Sequence, residues 1–271
     1  MRNDSLKQSI KVVLSLCLVC SFLVSGAVVL LNARQQENQR LNKINNILIA
    51  ADLYQTDGNS DEIYKQRIEP VLIDLASGDP VAVQRISPDF TPDDFDIQRF
   101  ANDPELGENV PANLDSAKIN RRPKYMPVYL VKTAGQAEKL ILPVFGKGLW
   151  STLYGFVALD RDLQTITGLS FYQHGETPGL GGEVDNPRWK QQWPGKQAFD
   201  REGRVIIKVL RGKADAKSAD AGHQVDGLAG ATLTSRGVDR LLNYWLGEYG
   251  YGPLLARLRQ EWHLPRGHSD V

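Results

Sequence analysis

Cysteine is nearly absent: Cys17 and Cys20 are the only two in 271 residues, and none follows Cys20. That excludes a disulfide framework and a thiolate metal centre from most of the chain. Histidine is scarce as well, four in all, so a multi-histidine metal site has little to draw on. Neither sign of charge dominates, because 32 basic residues meet 32 acidic ones and the formal net charge is zero. A nucleic-acid binder relying on bulk positive charge is thereby excluded. The usual nucleotide signatures are missing: there is no G-x-G-x-x-G after a strand and no G-x-x-x-x-G-K-[ST]. Gly146-Lys-Gly148 has no third glycine at the required spacing. With 42% apolar and 24% charged residues, the composition is that of a globular chain, not a disordered one.

The average hides one uneven stretch. Val12 to Leu31 carries no charge. Such a run spans about 30 Å as a helix, the thickness of a bilayer core. Arg2, Lys7 and Lys11 precede it. A signal peptide shares the basic head, and Ser25-Gly26-Ala27 would pass as its cleavage site. The run is long for that role, however, and continues through Val28 to Leu31. The preferred reading is a retained membrane helix over 12–31 behind a short tail, 1–11. Cys17 and Cys20 lie inside it. Their spacing allows a redox or metal pair, but two small apolar thiols in lipid is the simpler reading. Arg34, Arg40 and Lys43 follow the span, so flanking charge gives only a slight lean toward a cytoplasmic N-terminus.

Beyond the span, Leu41, Ile44, Leu48 and Ala51 recur at helical steps. Asp52–Ser60 reads as a turn, and Asp61–Leu75 as a helix interrupted at Pro70. Ser77–Pro123 is proline-rich and irregular, a wrapping segment with room for short helices, so 32–123 forms a helical and irregular region. Short runs of Val, Ile, Thr and aromatics bounded by Gly, Pro or Asp mark strands at Pro127–Lys132, Lys139–Val144, Tyr154–Leu159, Thr165–Tyr172 and Arg204–Leu210. The short links among the first four favour antiparallel neighbours over helical crossovers. Val238, Leu241, Leu242 and Trp245 form a buried helical stripe, and Leu254–Trp262 resumes after a break at Gly247–Pro253. The expected class is α+β: a transmembrane helix, then a largely antiparallel sheet with packed helices over 124–264, and a tail at 265–271.

Glycine concentrates in two places. Asp226-Gly-Leu-Ala-Gly-Ala-Thr-Leu-Thr-Ser235 stands directly before a helix that Thr234 or Ser235 can cap. Free N–H groups and a partial positive charge at that helix start suit a phosphate, and Ala229, Gly230 and Ala231 leave room for a bulky group. A plain Gly-rich turn would read the same way. His174-Gly-Glu-Thr-Pro-Gly-Leu-Gly-Gly-Glu183 follows a strand. Its backbone can lie against a flat ring while Glu176 and Thr177 offer hydrogen bonds; a wide hairpin connection is the alternative. A metal site from His174, Glu176 and Glu183 lacks a second nearby histidine, and none is assigned. Trp150, Trp189 and Trp193 are aromatic faces that could pack on a ring or simply belong to the core.

Together the two glycine segments resemble the FMN-binding domain family, in which flavin is joined by a phosphoester to the last threonine of D-x-x-[ST]-G-A-T. Within it, three runs resemble the C-subunit family of Na+-translocating NADH:quinone reductases: Gly148–Leu159, Phe171–Lys190 and Val225–Ser235. The length of the middle run favours that family over the related Rnf-type flavin subunits. A third possibility is an anchored binding or sensor module outside the cytoplasm. One departure is Ala229, where the family usually has Ser or Thr.

The resemblance implies FMN on Thr232, with Trp150, Glu176, Thr177 and Leu180 lining the ring, Gly230 and Ala231 beside it, and no catalytic residue beyond the flavin. It implies that Asp226 helps present Thr232 to a separate flavin transferase outside the cytoplasm, which places the large domain in the periplasm of an inner-membrane, single-pass protein. The implied partners are the other subunits of a redox complex that oxidises NADH, reduces quinone and exports Na+, together with the transferase and membrane lipid, but no nucleic acid.

Overall fold

The computed structural model describes residues 2–87 and 90–263, with side chains from residue 7 onward. The tail at 265–271 lies outside the described residues. The chain divides into two compact units, residues 1–43 and 44–271. The first is helical throughout its described length, part of α1 (Arg2–Ala50). One stretch of this helix is long and apolar enough to cross a membrane. Its apolar side chains, among them Phe22, Val29 and Leu30, are exposed, as lipid-facing side chains would be.

The second unit opens on the last turns of α1, from Ile44 to Ala50. Then come α2 (Ser60–Arg67) and β1 (Ile68–Asp74). The region Asp61–Leu75 is therefore a helix only as far as Arg67. Pro70 does not break a helix there; it sits on the strand at the sheet's edge, where a missing N–H is tolerated. The wrapping segment holds 3₁₀ turns at Val83–Arg85 and Pro92–Asp94, then α3 (Ile97–Asn102) and a small antiparallel pair, β2 (Gly107–Asn109) with β3 (Arg121–Pro123).

The central strands are β4 (Tyr125–Thr133), β5 (Gln136–Lys147), β6 (Thr152–Asp160) and β7 (Thr165–Gln173). Next come α4 (Pro187–Lys190), the two-residue strands β8 (Lys196–Gln197), β9 (Lys208–Val209) and β10 (Gln224–Val225), α5 (Thr232–Leu246) and α6 (Gly252–Glu261). The six-stranded sheet runs β1-β4-β5-β6-β7-β8, and every pairing in it is antiparallel. Arg204–Leu210 is not one of its strands. Lys208 and Val209 pair parallel to β10, and Val205 makes a single antiparallel bridge back to Phe199 across a turn in which Asp200 accepts the Arg204 N–H.

Side chains alternate across the sheet with a period of two. On one face Tyr129, Val131, Ile141, Phe156 and Ala158 pack against Ile44, Ile47 and Leu48 of α1. There the Ser170 hydroxyl donates to the Asn46 carbonyl at 2.7 Å. On the other face Leu140, Leu142, Val144, Val157 and Leu159 join the core with Val238, Leu241, Leu242 and Trp245 of α5, the helical stripe anticipated above. The result is an α+β unit with its sheet held between two helical layers, and α5 lies along β5.

Candidate functional site

α5 begins at Thr232 and not at a capping hydroxyl. Its N-cap is Ala231, which makes no side-chain cap bond. Thr234 and Ser235, anticipated as caps, lie within the first turn and are buried. Their hydroxyls are committed elsewhere: Thr234 donates to Glu176 Oε2 at 2.6 Å, while Ser235 accepts from the Leu228 N–H at 2.9 Å and donates to the Ala231 carbonyl at 3.1 Å. The helix start thus keeps first-turn amides without a side-chain acceptor, beside an exposed Thr232.

The 174–183 loop reaches this start in two ways. Leu180 touches Gly230: a Cβ on Gly230 would sit 2.9 Å from Leu180 Cδ2, and Gly230 holds φ at +70°. A side chain there would be both strained and obstructed. Farther along, the buried Glu176 reaches Thr234. Its Oε1 also accepts from Trp150 N at 2.9 Å and Ser151 N at 3.1 Å, and its Oε2 from Leu149 N at 3.2 Å. Burial pushes this carboxyl up, but the bonds from Thr234, Ser151, Trp150 and Leu149 outweigh it and hold it below the ordinary glutamate value. Glu176 is therefore ionised at neutral pH. Its lone pairs are filled by protein donors, so it lines the site through its neighbours and has no spare acceptor to offer a ring.

Of the remaining loop residues, Thr177 is exposed and its carbonyl accepts from the N–H groups of Leu180 and Gly182. His174 Nε2 lies 2.8 Å from Asp185 Oδ2, and Lys190 lies 3.2 Å from Asp185 Oδ1. Burial pushes Asp185 up, yet His174 and Lys190 hold it below the usual carboxylate range. Among the described residues no cluster of His, Cys, Asp and Glu is placed to hold a metal.

The three tryptophans separate cleanly. Trp193 and Trp189 are core, whereas Trp150 is 67% exposed. Leu149, Leu180 and Leu233 are exposed as well, and of these Leu180 lies against Gly230 just before α5 while Leu233 stands in its first turn. Trp189 has a further task. Its Nε1–H donates to the Asp226 carbonyl at 2.8 Å, and Gln192 Oε1 accepts the Asp226 N–H at 3.0 Å. The Asp226 carboxylate in turn accepts the Ala214 N–H at 2.7 Å. The run after the glycine loop thus clamps the backbone where the second glycine segment begins. Sequence reading had no signal for Gln192, Ser151 or Thr234 as connectors, because each bonds to a residue at least 24 positions away.

The arrangement suits a flat ring joined to a phosphate: an exposed hydroxyl on an uncapped helix start, a glycine cradle and exposed apolar side chains. Comparison with known proteins agrees. The FMN-binding domain family matches residues 148–247. The C-subunit of the Na+-translocating NADH-quinone reductase of Pseudomonas aeruginosa is 48% identical over 261 residues, covering 95% of this chain and 98% of that protein. Its counterpart in Yersinia pestis is 45% identical over 262 residues, 95% of each. The crystal structure of Shewanella oneidensis NqrC superposes with a TM-score of 0.74 at 34% identity, covering 83% of this chain and 99% of that one. On this sequence and structural likeness, the chain belongs to the NqrC family, the C-subunits of the Na+-translocating NADH-quinone reductases.

Proposed function

We propose that this chain is the membrane-anchored, FMN-carrying subunit of a Na+-translocating NADH:quinone reductase, with FMN bonded through its phosphate to the Thr232 hydroxyl. The observation that carries the attachment point is the exposure of Thr232 on an uncapped helix start while the neighbouring Thr234 and Ser235 hydroxyls are buried and bonded. The partners in this reading are the other subunits of the complex, a flavin transferase that loads Thr232, and lipid around residues 12–31. Residues 1–11 face the cytoplasm. Residues 32–123 and the flavin domain, 124–264, face the periplasm, and the complex exports Na+.

FMN, when bound, supplies the redox chemistry, and the protein supplies its position and surroundings. The Thr232 oxygen provides the tether. The first-turn amides of α5 and the positive end of its dipole face the phosphate charge. Arg236, half-buried and with no ion pair among the described residues, lies one turn on at i+4, about 6 Å away between Cβ atoms, and adds a countercharge. Trp150 and Leu180 give apolar contact to the ring, Gly230 and Ala231 allow its close approach, and the Thr177 hydroxyl offers a hydrogen bond. A covalent tether also keeps the flavin from being lost to a dilute compartment, which lets the pocket stay shallow.

Intact mass of the full chain expressed in membranes tests the attachment. It should exceed the polypeptide by one FMN less one water, with a flavin absorption spectrum; an unmodified mass would overturn it. The topology is tested by adding protease to intact spheroplasts. Digestion of the large domain is expected, and full protection would place it in the cytoplasm.

Asp226 gives a third test. In this reading it presents Thr232 to the transferase by holding the Ala214 N–H. Asp226→Asn keeps an acceptor at that point and should load flavin at close to the parent rate. Asp226→Ala leaves the amide unmet and should slow the initial rate of loading about 3- to 10-fold. Equal slowing in both variants would mean that the charge, not the hydrogen bond, is what the transferase reads.

A further inference from the structure

We infer that Glu176 is a positioning residue for the flavin site, a buried clasp that fixes Trp150 to the start of α5. The inference rests on the flavin reading above for what is being positioned; the clasp itself stands on its own geometry.

Glu176 is 5% exposed and forms no ion pair among the described residues. A carboxylate buried without a cation is costly unless hydrogen-bond donors surround it. Here four donors from two separate segments do so: three consecutive amides, Leu149, Trp150 and Ser151, and the Thr234 hydroxyl. The backbone has been cleared around it. A Cβ on Gly148 would lie 2.6 Å from Oε1, and one on Gly181 would lie 2.8 Å from Oε2 and 2.6 Å from the Thr234 hydroxyl. A neighbouring bond joins the same two loops, with the Ser151 hydroxyl accepting the Gly175 N–H at 2.6 Å, and the Gly148 N–H closes the 148–151 turn by donating to the Ser151 carbonyl at 2.8 Å.

The consequence falls on Trp150. Two-thirds of this residue is exposed, so core packing does not fix its indole. Its orientation depends on its backbone, and that backbone is held by Glu176 on its N–H and by the Lys147 ammonium on its carbonyl. The same carboxylate binds Thr234, two residues past the tether point. Glu176 therefore sets the relation between the aromatic wall and the residue that carries the flavin, and it does so without touching the ring.

Two variants of the full chain in detergent or nanodiscs test this. Glu176→Gln places an amide N–H2 against N–H groups that now meet a carboxylate. Thr234→Val removes only the hydroxyl. In a flavin-free Thr232→Ala background, E176Q should speed hydrogen exchange at the Leu149, Trp150 and Ser151 amides about 10- to 100-fold. In the Thr232 chain, E176Q should keep its covalent flavin fluorescence, while the flavin's fluorescence anisotropy falls and its reduction potential shifts. T234V should move both in the same direction by less. Faster exchange with unchanged anisotropy and potential would overturn the positioning role and leave a local structural bond. Unchanged exchange would overturn the clasp. A parent chain without flavin would overturn the attachment reading and, with it, the role toward a ring, while the exchange measurement would still decide the clasp.

Discussion

Thr232→Ala is expected to give a folded, colourless chain whose in-gel flavin fluorescence under denaturing conditions drops to background. The fold should survive because Thr232 is exposed and is not the helix cap, a position held by Ala231. Alanine is also the best helix former, so the change at the first helical position costs at most a few tenths of a kcal/mol. In the proposed attachment the tether is one bond to one oxygen, so the flavin should be lost completely. On sequence alone Thr234 and Ser235 compete as acceptors, being hydroxyls in the same segment. In the structure Thr234 is fully buried and bonded to Glu176, and Ser235 is buried and bonded to Leu228 and Ala231. A transferase would have to unwind the first turn of α5 to reach either. Fluorescence that persists in the Thr232→Ala chain would show that one of them is reached all the same and would move the assignment.

The parts of the fold legible in the sequence were those governed by local periodicity. The uncharged run from Val12 to Leu31 and the stripe Val238, Leu241, Leu242 and Trp245 each announce one face or one solvent, and both are helical as read. The four central strands were visible for the same reason, and their short links gave the antiparallel order. What escaped was decided at a distance. Ile68–Asp74 carries polar residues between apolar ones and follows a true helix. Only its seven-residue pairing with β4 makes it a strand, and no local signal reports a partner some sixty positions on. Arg204–Leu210 shows the reverse: strand-like composition, but a turn at Asp200 that keeps most of it off the sheet.

The site divides along the same line. Both glycine segments stood out because backbone that must approach a large group or adopt an unusual turn needs glycine, as Gly230 and Gly181 do. Which polar groups face inward did not stand out. Glu176 reads as a loop acid offering hydrogen bonds to a ring, and Thr234 as a cap; their bond to each other is visible only when the two are placed side by side. Trp189 and Asp226 are a second such pair, 37 positions apart. The motif residues carry the resemblance, while the bonds that hold the motifs together are long-range.

Trp245→Ala should produce a large loss of stability. Trp245 is fully buried, its Nε1–H donates to the Phe145 carbonyl at 2.7 Å, and its ring lies 4.8 Å from that of Phe145 and 5.4 Å from that of Tyr251. Removing a buried tryptophan costs about 3–5 kcal/mol in lost packing and cavity. The stranded Phe145 carbonyl adds about 1–3 kcal/mol if water does not reach it. Against a total stability of about 5–15 kcal/mol for a typical domain, that is a large share. At about 2–4 °C per kcal/mol for a domain of this size, Tm should fall by roughly 10–25 °C. Trp245→Phe restores most of the packing but not the N–H, so its loss should be about 1–3 kcal/mol, the share belonging to the hydrogen bond. Near-UV circular dichroism or calorimetry of the solubilised full chain would report both, without interference from the membrane helix. The effect on the flavin should follow stability alone. α5 carries Trp245 near its end and Thr232 at its start, so a chain kept cold enough to fold should still be loaded, and loading should fail as the unit unfolds. A Tm unchanged by Trp245→Ala would mean that α5 is not held against β5 by this residue, and the placement of Thr232 would then have to come from the Glu176 and Leu180 contacts alone.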